Sequence, residues 1–431
     1  MLNNSQILGI NARNRLYLIY NNKRGRKIAD SKLLTKKRLL KAGLPVPKVL
    51  KIFKTPEDVF NFDWTKLPES FVLKPVSGFG GQGIVIIRSK AKYAGEWWTM
   101  SGERIDIPTL RLHVLDILAG QYSLHNFPDW AFVEERIKIA GIFRKYAYRG
   151  TPDVRVIVFN KVPIMAMLRL PTKESQGKAN LHQGAIGVGI DLATGITNHA
   201  VCRGKFLRYI PGTKRKVNGI KLPYWNTILT LAAKAQEAVP ELGYMGVDII
   251  YDKAHGPMIL ELNARPGLEI QNANLTPLKR RLERVEGLEV LNAEHGVRIA
   301  KALFAGRYAD RVMAEEGVKI IGSKEEVKIL AAGKKRVSVW AKIDTGAWRT
   351  SIDKNLAKEL GLLKKENILW TKTIKSSLGK EKRPIIGLTF WLAGRKINTY
   401  AGVANRAHLR RPLIVGRRDL EGFLIKPRGE S

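Results

Sequence analysis

Lys74 ends the short apolar run Phe71-Val72-Leu73 and is followed by Gly78, Gly80, Gly81 and Gly83. A lysine there can neutralise phosphate oxygens, and glycines let backbone N–H groups close over a phosphate with no side chain between. The G-x-G-x-x-G spacing of Gly78, Gly80 and Gly83 is shared by several loops. A dinucleotide-binding turn runs into a helix whose N-terminus holds the pyrophosphate, but here the β-rich run Ile84-Val85-Ile86-Ile87 follows. A Walker loop needs Gly-Lys-Ser/Thr, which is absent. A protein-kinase loop does lie between strands, but it keeps its lysine on the next strand and needs H-R-D and D-F-G segments that are missing. Two readings are left: a strand–glycine loop–strand flap with Lys74 on the leading strand, or a hairpin with an incidental lysine.

The second chemical set lies in GYMGVDIIYDKAHGPMILELNARPG. Asp248 falls on a strand over Val247–Tyr251, and Glu261 and Asn263 fall on or just past a strand over Met258–Leu262. Residues two apart on a strand share a face. Hard oxygen donors converging from paired strands suit Mg²⁺ (or Mn²⁺), which keeps waters and binds nucleotide phosphates as well. The alternative is a pair of solvent-facing strand carboxylates. Against it, Glu261 interrupts the apolar string Met258-Ile259-Leu260, where a carboxylate is costly unless paired or metal-bound.

Between these sets come weaker candidates. Glu134-Glu135 closes a strand and offers a hinge for adenine and ribose; Asp153 and Arg155 share one face of another strand, either as phosphate-facing groups or as a structural ion pair. Arg169 ends the strand up to Leu170, and Asn180-Leu181-His182-Gln183-Gly184 follows a polar loop. An arginine beside transferring phosphate offsets developing charge, and Asn180 can reach metal or phosphate. His182 is equally a satisfied loop histidine.

The elements that position these residues are legible. A helix over 31–42 stops at Gly43, with Pro45 and Pro47 beyond. Strands are expected at Phe71–Leu73, Ile84–Ile87, Ala131–Glu135, Val154–Phe159 and Ile164–Leu170, with an amphipathic helix over 226–238. From Pro277 to Val312 the chain reads as helical and highly charged. After Gly317 short β-rich runs take over, at Lys328–Leu330, Val337–Ile343, Ile385–Leu392, Ile397–Val403 and Leu413–Val415. With 431 residues, 45% apolar, the chain has room for two or three cores and is not a disordered protein. One cysteine, Cys202, excludes a disulfide framework and a Cys-rich zinc site, and fits a reducing cytoplasm. No secretory signal or run of about 18 apolar residues is present, so a cytoplasmic location is expected. Lys and Arg number 75 against 38 Asp and Glu, a formal net charge of +37. Such a field attracts polyanions, or reflects a solvated basic surface.

In order, Asp30-Ser31-Lys32…Thr35, Lys74-Pro75, Gly78–Gly83, Glu134-Glu135, Asp153-x-Arg155, Asn180-Leu181-His182, Asp248 and Glu261-Leu262-Asn263…Pro266-Gly267 resemble the ATP-grasp superfamily. More closely, the set is similar to α-L-glutamate ligase-like proteins, relatives of RimK-type ligases that add glutamate to a ribosomal protein's C-terminus. The resemblance covers about residues 10–285. It implies an ATP- and Mg²⁺-dependent ligase that forms an acyl-phosphate and then an amide. Lys32, Lys74, the glycines and Glu134–Glu135 would hold ATP, Asp248, Glu261 and Asn263 the metal, and Arg155 and Asn180 would sit at the reacting groups. Those ligases carry Arg-Ser-Asn-Leu-His-Arg-Gly-Gly where this chain has Lys178-Ala179-Asn180-Leu181-His182-Gln183-Gly184-Ala185.

Over residues 318–431, Asp344-Thr345-Gly346-Ala347 and Arg411-Pro412-Leu413-Ile414-Val415-Gly416-Arg417 resemble the retropepsin-like domains associated with RimK-type ligases, sometimes labelled zinc peptidases. Aspartic peptidase chemistry needs two carboxylates sharing a proton, so a catalytic Asp344 implies a homodimer; a binding barrel is the alternative. His295 and His408 are isolated and make no zinc site. The expected fold is α+β: an ATP-grasp domain over 1–285, a helical connecting segment over 286–317, and a small all-β aspartic-peptidase-like barrel over 318–431. The function expected is ligation of glutamate or a similar amino acid to a peptide or amine; the alternative is a ribosome- or polyanion-associated binding protein.

Overall fold

Ser31 caps the helix Lys32–Lys41 by accepting from the N–H of Leu34, and the helix stops at Gly43, whose φ of 68° is open to glycine at no steric cost. This segment carries Lys32 and Lys36 one turn apart on the same side. It is part of a computed structural model that describes residues 7–78, 80–123, 126–139, 141–304, 319–333, 335–376, 379–406 and 411–426. Phe79, residues 305–317 of the expected connecting segment and His408 lie outside these. The chain folds as two units, Met1–Ile190 with Gly195–Arg284, and Asp191–Thr194 with Val285–Ser431.

The first unit holds two antiparallel sheets. Six strands, β1 (Val49–Phe53), β2 (Phe71–Pro75), β3 (Val85–Lys90), β4 (Glu96–Thr99), β5 (Arg104–Asp106) and β6 (Ala131–Glu135), lie in the order β1-β6-β2-β3-β4-β5. Their core is aromatic: Phe53 stacks on Trp64 at 5.2 Å, and Trp97 meets Phe71 edge-on. Each such fully buried side chain contributes about 1.5–3 kcal/mol. The helix Ile107–Leu118, capped by Asp106, closes that core with Leu110, Val114 and Ile117.

The second sheet holds β7 (Asp153–Phe159), β8 (Val162–Leu170), β9 (Ile186–Ile190), β10 (Thr197–Cys202), β11 (Lys205–Leu207), β12 (Tyr244–Asp252) and β13 (Gly256–Asn263). Their order is β11-β10-β9-β8-β7-β12-β13. β8 and β12 are buried at every position, so both faces of the sheet are covered and the strands read as near-continuous apolar runs. The sequence reading does not include β9, because Gly187 and Gly189 break its alternation. Both glycines are structural: a Cβ at Gly189 would collide with the carbonyl oxygen of Ala273, whose helix crosses there.

In the second unit, β14 (Lys319–Ile321) pairs in parallel with the last strand, β22 (Phe423–Ile425). Between them run β15 (Lys324–Leu330), β16 (Arg336–Asp344), β17 (Ser351–Asp353), β18 (Ile368–Ser376), β19 (Gly379–Leu392), β20 (Arg395–Ala404) and β21 (Leu413–Gly416). The order β15-β16-β21-β17-β20-β19 is closed by β15 pairing with β19, which makes a six-stranded barrel with β18 added outside. The barrel is not wholly β. Asp353 caps a helix at Lys354–Glu359, whose Ala357 enters the core. The charged stretch expected as one helical run divides into Leu278–Glu283 in the first unit and Ala293–Phe304 in the second. His295 of the latter hydrogen-bonds the Ile368 carbonyl at 2.8 Å, so it is a packed helix residue. No helix among the described residues is long and apolar enough to cross a membrane.

Asn21, 2% exposed, joins the N-terminal segment to the sheet that carries Asp248. Its amide donates to the carbonyls of Tyr244 (2.7 Å) and Ala264 (3.0 Å) and accepts from Tyr244 N–H (2.9 Å). Asn21→Leu is expected to lower stability by about 2–4 kcal/mol, since it strands three buried backbone groups. Urea unfolding checks this; an unchanged midpoint would contradict the role.

Candidate active site

Pairing brings the distant acidic and basic residues together. Asp248 on β12 lies opposite Arg155 on β7 and opposite Glu261 on β13, while Asp153 lies opposite Arg169 of β8. All five side chains share one face, because paired residues and residues two apart do. A bulge at Leu260 makes this possible. Ile259 pairs with Ile249 and Glu261 with Asp248, so the extra residue puts Ile259 on one face and Glu261 on the other. The apolar string that makes Glu261 conspicuous in the sequence is therefore split between two faces.

Asp248 is 0% exposed. Arg155 Nε donates to its Oδ1 at 2.7 Å, and Oδ2 accepts from Arg155 Nη2 and Arg169 Nη2, each at 2.6 Å. Asn263 Nδ2 adds a bond at 3.2 Å. Arg169 also grips Asp153 through two bonds of 2.6 and 2.8 Å. The ion pairs thus differ from an Asp153–Arg155 pair: each acid is taken by an arginine of the neighbouring strand. Burial alone would push Asp248 up, but Arg155 and Arg169 outweigh it and hold the carboxyl well below its usual range. Burial, then the charge of Asp248, raises Glu261, which hydrogen-bonds Asp248.

That last feature tests the donor set for a divalent cation. A buried carboxylate and a half-buried one in contact share a proton unless a cation replaces it. With the amide oxygen of Asn263 they form a hard oxygen set suited to Mg²⁺. Among the described residues no three His, Cys, Asp or Glu form a metal cluster, so phosphate and water oxygens would complete the coordination.

The smaller sheet supplies a second cluster. Glu134, 2% exposed, forms ion pairs with Lys74 of β2 and with Lys36, the latter at 2.9 Å. Lys36 also donates to Pro47 O at 2.9 Å. Burial favours the neutral acid, yet Lys74 and Lys36 prevail and depress Glu134. At the expected adenine hinge, adjacent strand residues point to opposite faces: Glu135 accepts from Lys48 N–H at 2.8 Å, while Glu134 pairs with Lys74. Lys36 is the residue missed in the sequence, although its spacing of four from Lys32 was a signal. Lys32 donates to Gly78 O at 2.9 Å and Val76 O at 3.4 Å; burial lowers its pKa, while Glu261 pulls it up.

Between β2 and β3 the glycine loop has positive φ at Gly80, Gly81 and Gly83. Gly83 faces the Tyr122 ring, where a Cβ would lie 2.7 Å from it. Gln183 Nε2 reaches Gly80 O at 3.4 Å, so the Asn180 loop adjoins the flap. Asn180 itself caps the turn Leu181–Gln183 by accepting from His182 N–H at 3.1 Å. In the second unit, Asp344 accepts from Gly346 and Ala347 N–H, both at 3.0 Å, and pairs with Lys342 at 3.1 Å. Lys342 first, and then the backbone donors, hold it low. β16 and β21 run in parallel with Asp344 opposite Gly416, so the segment Leu413–Gly416 lies beside the turn.

The depressed Glu134 predicts an acid limit. Its contribution to stability is complete above the ordinary value of 4.5 and is lost as pH falls through the lower folded value. Urea midpoints taken from pH 7 to pH 3 are expected to fall more steeply for the native chain than for Glu134→Gln; parallel curves would contradict this.

The model of the family described as "Sugar-transfer associated ATP-grasp" matches residues 11–287. No protein of curated function matches the sequence. Among solved structures, the chain is similar to the ATP-grasp ligase PsnB complexed with minimal precursor (17% identity, 62% of each chain, TM-score 0.33). It is also similar to D-alanine–D-alanine ligase from Bacillus anthracis (16% identity, 69% of this chain and 72% of that, TM-score 0.33). A third, Lpg0085 of Legionella pneumophila, a protein with unknown function, is 19% identical over 26% of this chain and 94% of its own, with a TM-score of 0.18. The match over 11–287 takes in both ion clusters, the glycine loop and well over half of the length, and the chain belongs to the sugar-transfer associated ATP-grasp family.

Proposed function

We propose that the chain is an ATP-dependent carboxylate–amine ligase. One observation carries the reading: Arg155, Arg169, Asp248, Glu261 and Asn263 converge on one sheet face, and the same unit presents Lys32 and Lys74 beside a glycine loop. A substrate carboxylate oxygen attacks the γ-phosphorus of ATP, the bond to the β–γ bridging oxygen breaks, and ADP leaves. The acyl-phosphate then takes an amine nitrogen at its carbonyl carbon, phosphate departs, and the nitrogen loses a proton.

In this reading Lys74, oriented by Glu134, and Lys32 hold the nucleotide phosphates, and the loop N–H groups close over them. Arg155 and Arg169 offset charge on the transferring phosphoryl oxygens and on the tetrahedral intermediate. Asn180 shapes the loop that faces the reacting groups. Asp248, Glu261 and Asn263 would hold Mg²⁺, which neutralises phosphate charge when bound. An amino acid such as glutamate as the amine follows from the RimK-like motif order, and the single cysteine fits a cytoplasmic location.

For the second unit we infer a binding role. A peptidase needs one of two facing carboxylates to hold a proton, whereas Lys342 and two backbone N–H groups keep Asp344 ionised. Hydrolysis would need a second chain to bring another Asp344 to the same water.

Mg²⁺-dependent ADP release, screened over carboxylates and amino acids, tests the ligase. Lys74→Ala and Glu261→Ala are each expected to lower it by about 10²–10³-fold, and Asp344→Asn to leave it unchanged. A folded chain that neither releases ADP with any pair nor binds ATP would sink the proposal.

A further inference from the structure

A cavity of about 800 Å³ opens in the first unit between three segments, 144–148, 171–174 with Gly184, and 210–215. The segments are tied together. Tyr148 N–H donates to Pro171 O at 3.0 Å, Arg215 donates to Lys145 O at 2.5 Å, and Gly150 packs so closely on Gly177 that a Cβ would collide with its carbonyl. The wall from Pro171 to Gly184 is shared with the candidate active site. It begins two residues after Arg169, and at its other end Gln183 touches Gly80 while Lys178 lies beside Gly81. A molecule in the cavity therefore lies alongside the loop that meets the phosphate flap.

The cavity is amphipathic. Pro171 is buried, and Tyr146, Ala147 and Ile210 are half-buried, so the floor is apolar and partly aromatic. Arg144, Lys145, Lys173 and Arg215 form an exposed rim. The acidic lining residue, Glu174, is paired with Arg203 at 2.6 Å, which leaves the rim strongly basic. Lys145 and Arg149 sit 5.2 and 5.4 Å from the ring centres of Tyr146 and Tyr148. A basic rim over an apolar, partly aromatic floor suits an anion that also has a flat apolar face. The size selects too: cavities of about 300–1,000 Å³ enclose ligands much larger than one free amino acid.

We infer that this cavity binds the carboxylate substrate of the ligase, and that this substrate is a carboxylated saccharide rather than a free amino acid. The inference rests on the ligase reading for its chemistry, but the cavity's occupancy is measurable without catalysis. The tyrosine and proline faces suit sugar rings, and the basic rim suits their carboxylates.

Calorimetry on the full chain, with and without a non-hydrolysable ATP analogue and Mg²⁺, tests it using three probes. Digalacturonate is expected to bind at least tenfold more tightly than maltose, which lacks the charge, and than Glu-Glu, which lacks the rings. Lys173→Glu and Tyr148→Ala, both at exposed positions, are each expected to weaken digalacturonate at least tenfold and to leave the nucleotide affinity unchanged. Preferred binding of Glu-Glu overturns the saccharide assignment. Unchanged digalacturonate affinity in both variants, or none in the native chain, overturns the cavity as its site. Loss of nucleotide binding alone counts against the ligase reading and not against this one.

Discussion

A single buried carboxylate, Asp248, organises the larger sheet. It is fully buried, and its charge is stable there because guanidinium groups from β7 and β8 reach it. The dependence is mutual, since Arg169 is buried as well and needs both Asp153 and Asp248. Removing one member of such a network leaves an uncompensated charge, at about 3–5 kcal/mol. The cluster also fixes register. A slip of β7 against β12 by one residue would turn Arg155 to the other face and put an apolar neighbour against Asp248. Specificity of pairing and the chemistry of the site thus come from the same atoms.

The smaller sheet solves a different problem. Lys74 is largely buried, on a strand that leads into the glycine loop. Glu134 provides the counter-charge, and Lys36 in turn keeps Glu134 ionised from behind. One acid between two lysines leaves a net positive group at the mouth of the glycine loop. The helix Lys32–Lys41 gives both Lys32 and Lys36 to this region, one turn apart, so a single capped helix sets two of its three lysines.

What the sequence disclosed follows from where the chemistry was local. The helix after Ser31, the glycine loop between strands, and Asp248 with Glu261 were readable because caps, glycines and misplaced charges are signals carried within a few residues. The family match bears out the ATP-grasp expectation built on their order. The pairing of charges was not readable. Asp153 and Arg155 stand two apart, but which arginine meets which acid is decided by strand order β8-β7-β12-β13, a property of the whole stretch from Asp153 to Asn263. Glu134 and Glu135 show the opposite case: a pair adjacent in sequence is divided by the pleat, so only Glu134 meets Lys74. The bulge at Leu260 and the crossing helix at Gly189 have no local signature at all.

Counting partners across the site leaves one charge with a distinct status. Arg155 and Arg169 are met by Asp248 and Asp153, and Lys36 and Lys74 by Glu134. Lys32 instead has two carbonyl oxygens, of Val76 and Gly78, both at the entrance of the glycine loop. Carbonyl dipoles hold an ammonium in place without cancelling its charge, and burial makes that charge costly. The cation is therefore held where the chain turns into its glycine loop. Glu261 offsets part of that cost, and on the ligase reading proposed above a nucleotide polyphosphate adds a second anion beside Lys32.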